Sequence, residues 1–442
     1  MNSSSFTDAG NAEFFLQSVG DKVAYTHSHG WLVWSGTHWQ VDSGSLLVRN
    51  LLVDAIRQRL NESHGTVDDL VREKLQRWTS VSQSLTRVNS ALELAKGLMA
   101  VDPTKLQPHP MHLYFRNGVL NLKTGALNPH DPKNFNLHYV DFDFDWSSRS
   151  TRWDRFVEET FPDRDTAKFA QRASGYSLTG STSEQVLFAA YGSGANGKSV
   201  FLEVLRGLSG SNAMALNADA LRAGANSSGS ELARLHGKRL VLVSELPSNN
   251  RLDTALLKDI TGGDLVSARF LYQQPFDFYP QCKIWLKGNY MPSLSDLDKG
   301  ISRRLKVIPF VNEVPASRRV TGLVDELMQE LPAIAVWAVR GAQEWLTSGL
   351  GTSVEVERAT KEVLNPKSSV VEFLGQKYRL REQAKTQCAL LFRDYRNWCQ
   401  SNGHPPQRRE VLEHELANQG VMKTKSNGEF FWKGIGFPIL EQ

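Results

Sequence analysis

The apolar run "QVLFAAY" (Gln185 to Tyr191) passes directly into "GSGANGKS" (Gly192 to Ser199) and then into the amphipathic stretch "SVFLEVLRGL". Strand, glycine loop, helix is the order this pattern demands. Gly192-x-x-x-x-Gly197-Lys198-Ser199 matches the phosphate-loop spacing. Glycines let backbone N–H groups turn inward around phosphate oxygens with no Cβ in the way. A helix starting near Lys198 would aim its positive end at the same place. Lys198 would offset β- and γ-phosphate charge, and Ser199 would ligate Mg²⁺. Gly192, Gly194, Asn196, Gly197 and Val200 complete the expected nucleotide-contacting set. The expected ligands are ATP and Mg²⁺. The plain alternative is a glycine turn with no ligand.

Three later segments fit a nucleotide site. In "KRLVLVSELPS" (Lys238 to Ser248), Leu240 to Val243 read as a buried strand from whose end Glu245 emerges. Two acids are common at such an end, but here Ser244 takes the first position, so Glu245 alone would orient a metal-bound water, activate the attacking water, or both. Glu231, Asp253 and Asp259 are weaker helpers. "CKIWLKGNYMP" (Cys282 to Pro292) ends in Asn289, either a contact for the γ-phosphate or lytic water or a simple turn residue. "DKGISRRLKVIPF" (Asp298 to Phe310) sets Arg303 and Arg304 before another apolar strand. They are either a solvated face or a source of transition-state charge for a neighbouring subunit. Between these lies "DLVSARFLYQQPFDFYP" (264–280), two β-rich runs around a turn. Arg269 and Tyr272 near the tip of that hairpin offer a charge and a stacking face for a single strand.

Residues 184–312 alternate strands and helices, which predicts a largely parallel α/β sheet. Before it come a region at 1–145 of mixed α+β character and a helical prelude at 146–183. The first 30 residues read as polar and frayed. "HGWLVWSGTHWQVD" reads as a hairpin, its tryptophans as small-domain core. After the sheet, 313–364 are helical, with Pro332 and Gly341 expected to break the pattern. "LNPKSS" is a candidate linker. Residues 365–442 carry twelve Lys/Arg against eight Asp/Glu. Two helices and a basic hairpin there give a winged-helix outline, with Arg408, Arg409, Lys423 and Lys425 as candidate DNA-phosphate contacts. The same outline also serves protein docking.

A length of 442 residues predicts several domains, and 40% hydrophobic with 22% charged residues is ordinary globular composition. No apolar run approaches a membrane span, and the N-terminus shows no secretory pattern. Three widely spaced cysteines, Cys282, Cys388 and Cys399, give neither a disulfide framework nor a zinc ribbon. A reducing cytosol fits them. "DFDFD" (Asp141 to Asp145) lacks the surroundings of a nucleotidyl-transfer site.

Taken in order, "GSGANGKS", "LVLVSE", "LLKDITGGDLVSARFLYQQPFDFYP", "KGNYMP" and "DKGISRRLKVIPF" resemble a superfamily 3 helicase. The closer likeness is to the helicase part of phage and plasmid primase–helicases, related to the poxvirus primase–helicase. The resemblance implies an AAA+-like P-loop core and a hexameric homo-oligomer translocating on single-stranded or forked DNA in a bacterial host cytoplasm. It implies Walker A residues at Gly192, Gly197, Lys198 and Ser199, a Walker B acid at Glu245 and a sensor at Asn289. The arginine finger would be Arg303 or Arg304, and Lys258 a second cation for the adjacent site. A separate primase or initiator is an expected partner. An ATP-driven loader without unwinding, and a small-molecule kinase, are the rival readings.

Overall fold

A computed structural model describes residues 6–62, 68–222, 229–244, 252–271, 274–288, 299–364, 369–402, 406–426 and 428–437. The chain is ordered from near its start, which corrects the expectation of a frayed N-terminus. Thr7 caps α1 (Asp8–Val19) by accepting from the Gly10 N–H. Ala12 and Phe15, three apart, then face inward. They pack with Leu52, Ile56 and Leu92, residues of α2 (Leu46–Glu62) and α4 (Leu85–Leu98), beside α3 (Asp69–Ser82). Each fully buried Leu, Ile or Phe among them contributes about 1.5–3 kcal/mol.

Strands β1 (Val23–Thr26), β2 (Gly30–Trp34) and β3 (Trp39–Val41) form an antiparallel sheet, so the tryptophan-rich hairpin is present. Trp31 and Trp39 are buried core, as expected. The Trp39 indole donates to the Pro132 carbonyl at 2.7 Å and so ties this region to the next. There β4 (His112–Phe115), β5 (Gly118–Asn121) and β6 (Leu127–Asn128) form a second small sheet.

The helical prelude is α5 (Thr151–Thr160) and α6 (Arg164–Leu178), capped by Ser150 and Asp163. α6 crosses α12 (Leu331–Ser348) through two glycines. A Cβ on Gly341 would lie 2.2 Å from the Gln171 carbonyl, and one on Gly175 would lie 2.1 Å from the Ala342 nitrogen. Gly341 is therefore a packing position inside an unbroken helix, not the break its residue type suggested. Pro332 sits in the first turn of α12, where its missing N–H costs nothing.

The central sheet is parallel, in the order β13-β7-β12-β9-β8. Its strands are β7 (Leu187–Tyr191), β8 (Ala213–Leu216), β9 (Leu240–Ser244), β12 (Lys283–Gly288) and β13 (Leu305–Pro309). Between β7 and β8 runs α7 (Lys198–Ser209), and the short α8 (Gly229–Ala233) precedes β9. Between β9 and β12 lie α9 (Thr254–Gly262) and the antiparallel hairpin β10 (Val266–Ala268) with β11 (Phe276–Phe278). The short α10 (Lys299–Ser302) leads into β13, and α11 (Leu323–Gln329) follows it. α13 (Val354–Leu364) packs on β13, where the Thr360 hydroxyl accepts from the Val307 N–H at 2.9 Å. The sheet is buried on both faces, as parallel sheets are.

The C-terminal unit has its own core of Val370, Phe373, Leu391, Tyr395, Leu412 and Trp432. It holds α14 (Ser369–Lys377), β14 (Arg379–Gln387), α15 (Cys388–Asn402), α16 (Arg409–Asn418), β15 (Met422–Ser426) and β16 (Glu429–Gly436). The sheet order is β14-β16-β15. The basic hairpin is present. The third strand and the helix α14 go beyond the two helices and hairpin expected, because "RLREQAKTQ" has too little apolar alternation to announce a strand.

Candidate functional site

The glycine loop leaves β7 and enters α7 at the carboxyl rim of the parallel sheet. Gly192 is there by necessity: a Cβ would meet the Phe310 carbonyl oxygen at 2.2 Å. Gly194 has φ +126° and Gly197 φ +84°, conformations that side-chain-bearing residues rarely adopt. Nothing lies within 4 Å of the Gly194 Cβ position, whereas Gly197 abuts Phe156 and Thr160 of α5. Two backbone bonds fix the loop to the segment after β13. The Phe310 N–H donates to the Tyr191 carbonyl at 2.7 Å, and the Val314 N–H to the Ala195 carbonyl at 2.8 Å.

Asn196 is 3% exposed and bridges the two sides. Its Nδ2 donates to the Phe310 carbonyl, and its Oδ1 accepts from Lys198 Nζ at 2.9 Å. Lys198 Nζ also donates to the Gly192 carbonyl at 2.7 Å. Its ammonium is thus drawn across the loop and held by neutral acceptors alone. Burial, and then the positive charge of Lys287, lower its pKa from the ordinary lysine value. An anion at this point relieves both. Ser199 is exposed and Val200 half-buried, next on α7.

The loop opens into a cavity of 860 Å³, within the size of a nucleotide pocket. It is also lined by Arg152, Arg155 and Phe156 of α5, with Asn312 to Pro315 and Arg318 to Val320 beyond β13. Lys287 and Gly288 of β12 line it as well. Among these, Lys287, Arg152, Arg155, Arg318 and Arg319 were not singled out from the sequence. Only Lys287 left a signal there, as a charge near the end of an otherwise apolar strand. Arg152 pairs with Glu326 at 3.6 Å, and the Arg319 Nε donates to the Val314 carbonyl at 3.0 Å.

Glu245 and Asn289 lie outside the described residues, as does Tyr272. The strands that lead to the first two are placed. β12 lies between β7 and β9, with Gly288 opposite Tyr191 and Lys287 opposite Ser244. Both strands therefore end at the rim where the glycine loop begins. Of the weaker acids, Glu231 pairs with Arg234 at 2.9 Å and Asp253 caps α9. Asp259 is exposed.

The two adjacent arginines differ. Arg304 is buried, and its Nη1 donates to the Lys258 carbonyl at 2.8 Å and the Thr261 hydroxyl at 2.6 Å, securing the end of α9. Arg303 is exposed. Lys258 is half-buried on α9, and Arg269 is exposed beside β10. In the C-terminal unit Arg409 and Lys423 share one carboxylate, Glu413, at 3.1 and 2.8 Å. Lys423 and Lys425 lie 5.4 and 5.6 Å from the ring centre of Phe430. Arg408 is exposed at the start of α16.

A fit to ATP with Mg²⁺ is chemically consistent. The cradle is glycine-lined, a desolvated ammonium has only neutral partners, and an exposed hydroxyl follows it. Among the described residues no group of three His, Cys, Asp or Glu could hold a metal by itself. Ser199 is the described residue that would hold a Mg²⁺ ion together with phosphate oxygens, an arrangement usual for that ion, and Glu245 lies outside the described residues.

Residues 12–162 match the family described as "D5 N terminal like", and residues 190–304 match a family of unknown function, DUF5906. A protein of Acanthamoeba polyphaga mimivirus named "Putative helicase L207/L206" is 28% identical over 342 residues, 72% of this chain and 35% of its own length. "Putative helicase 022R" of Frog virus 3 is 28% identical over 203 residues, covering 44% of this chain and 20% of its own length. The chain thus spans about a third or less of the length of these relatives. The solved apo structure of the NrS-1 C-terminal region in its A form is 10% identical, with a TM-score of 0.34, covering 71% of this chain and 81% of its own. Among the described residues no helix is long and apolar enough to cross a membrane. A D5 N-terminal-like region at 12–162, a second family match across the glycine-loop segment at 190–304, and viral relatives named as putative helicases together give this chain its likeness to the primase–helicase family.

Proposed function

We propose that the chain is an ATP-dependent DNA helicase of replication, working as a homo-oligomeric, hexameric ring on single-stranded DNA. The observation that carries this is the buried Lys198, braced by Asn196 inside a glycine loop that opens on an 860 Å³ cavity at the sheet rim. The strand order β13-β7-β12-β9-β8 supports an AAA+-like, superfamily 3 core, and the helix-and-hairpin order after residue 369 supports a winged-helix-like C-terminal unit.

In this reading the loop N–H groups and Lys198 hold the phosphates, and Ser199 orients the bound Mg²⁺. When bound, that ion would supply neutralisation of phosphate charge. Glu245 takes a proton from the attacking water, and Asn289 orients that water. Arg303 reaches the phosphate of a neighbouring copy, while Arg304 stays in its own subunit as a brace for α9. Loss of the clamp after hydrolysis moves the 264–280 hairpin, whose Arg269 and Tyr272 grip the strand. The C-terminal cations meet duplex phosphates.

Lys198→Ala should abolish ATP turnover, and single-stranded DNA should stimulate the unaltered chain. A fully active Lys198→Ala variant would end the phosphate-loop assignment. Turnover without unwinding of forked DNA would favour a loader.

A further inference from the structure

Side chains alternate faces along a strand. On β12, Ile284 and Leu286 join one core layer, while Trp285 joins the layer beneath α7. The Trp285 ring lies 4.7 Å from Phe188 and 6.0 Å from Phe201. Lys287, two residues beyond Trp285, continues the α7 face up to the rim. It is half-buried and shares the cavity with Lys198. Its register neighbours are Ala190 on β7 and Ser244 on β9, a methyl group and a hydroxyl. Among the described residues neither strand sets a carboxylate directly beside it, and Glu159, Glu313 and Glu326 line the cavity from other elements. A lysine there breaks the apolar pattern of a central strand and places two ammonium groups on one cavity. Like charges so placed oppose folding unless a multiply charged anion lies between them.

We propose that Lys287 is a second cation for the outermost phosphate of the bound nucleoside triphosphate, meeting it from the strand side while Lys198 meets it from the loop side. The inference rests on the nucleotide reading given above. The loop backbone and the first turn of α7 surround the inner phosphates. β12 is the next strand over, so a chain of phosphates leaving the loop toward β12 presents its last member to Lys287. Lys287 then distinguishes triphosphate from diphosphate.

The test is equilibrium binding of ATP and of ADP, each with Mg²⁺, to the 442-residue chain and its Lys287→Met, Lys287→Arg and Lys198→Ala variants. Lys287→Met should lose about tenfold in ATP affinity and less than about twofold in ADP affinity. Lys287→Arg should restore most of the difference, and thermal unfolding without nucleotide should not fall. An unchanged ATP-to-ADP ratio in Lys287→Met overturns the proposal. So does an equal loss of both, or a large fall in unfolding temperature, since those mark a structural lysine. If the unaltered chain binds neither nucleotide, the parent reading fails instead, which separates the two outcomes.

Discussion

Asn196 fastens the glycine loop to the end of the neighbouring strand β13, its Nδ2 donating to the Phe310 carbonyl at 2.5 Å. The same side chain receives the Lys198 ammonium. Asn196→Ala removes both contacts from a buried place and leaves groups without their partner. A loss of about 1–3 kcal/mol in stability is expected, with ATP affinity reduced about tenfold as the loop loosens. Thermal unfolding and nucleotide titration of the same variant check the pair of effects.

The crossing of α6 and α12 admits no side chain at Gly341 or Gly175, since backbone atoms occupy the space. Gly341→Val should cost about 3 kcal/mol or more, as overpacking against an unyielding chain does. Gly97, on the exposed side of α4 with nothing within 4 Å of its Cβ position, provides the contrast. Gly97→Ala should be neutral or stabilising by up to about 1 kcal/mol. Chemical denaturation of both variants gives the comparison.

Arg303 and Arg304 should separate cleanly. Arg304→Ala leaves the Lys258 carbonyl and the Thr261 hydroxyl without its guanidinium, so unfolding temperature falls. Arg303→Ala should leave unfolding unchanged and lower ATP turnover only where copies meet. Mixing Arg303→Ala with Glu245→Gln subunits should restore some turnover through sites that keep both groups. If mixing restores none, a shared site is not supported.

The N-terminal region meets the 264–280 hairpin through His29, at Phe270 near the turn end. The His29 ring lies 5.4 Å from His236 and 5.6 Å, edge-on, from Phe270. Burial pushes His29 and His236 down to about 4, and His138, whose ring bonds the His236 carbonyl, also well down. Each native pKa lies below the unfolded value of about 6.5. Between those values the unfolded chain binds more protons, so stability falls as pH drops from about 6.5 toward 4. Unfolding temperature measured across that range should show the slope, and His236→Phe should flatten it.

In the C-terminal unit, Glu413 neutralises Arg409 and Lys423 together. Glu413→Gln frees both cations. If this face meets DNA, affinity should rise several-fold at low salt, with a steeper salt dependence. Fluorescence anisotropy with labelled duplex at two salt concentrations reads this directly.

The glycine loop and the strands around it were legible because their physics is local. Apolar runs of strand length and glycines where no Cβ fits are written in consecutive residues. The wall of the cavity was not legible. Arg152 and Arg155 come from a helix some forty residues before the loop, and Arg318 and Arg319 from a segment beyond β13; only folding brings them together. The start of the chain was misjudged for a different reason. "MNSSSFTDAGN" looks polar throughout, and the cap at Thr7 with Ala12 and Phe15 in phase outweighs that composition. The different burial of Arg303 and Arg304 depends on the position of α9, which no adjacent residue announces.

Thr360 occupies, with its hydroxyl, an outward amide of β13, the strand at one border of the parallel sheet. A border sealed by a helix in this way offers no template for a strand from another molecule. On this border, contact with another copy would run through helices and loops and leave the ladder between β13 and β7 whole.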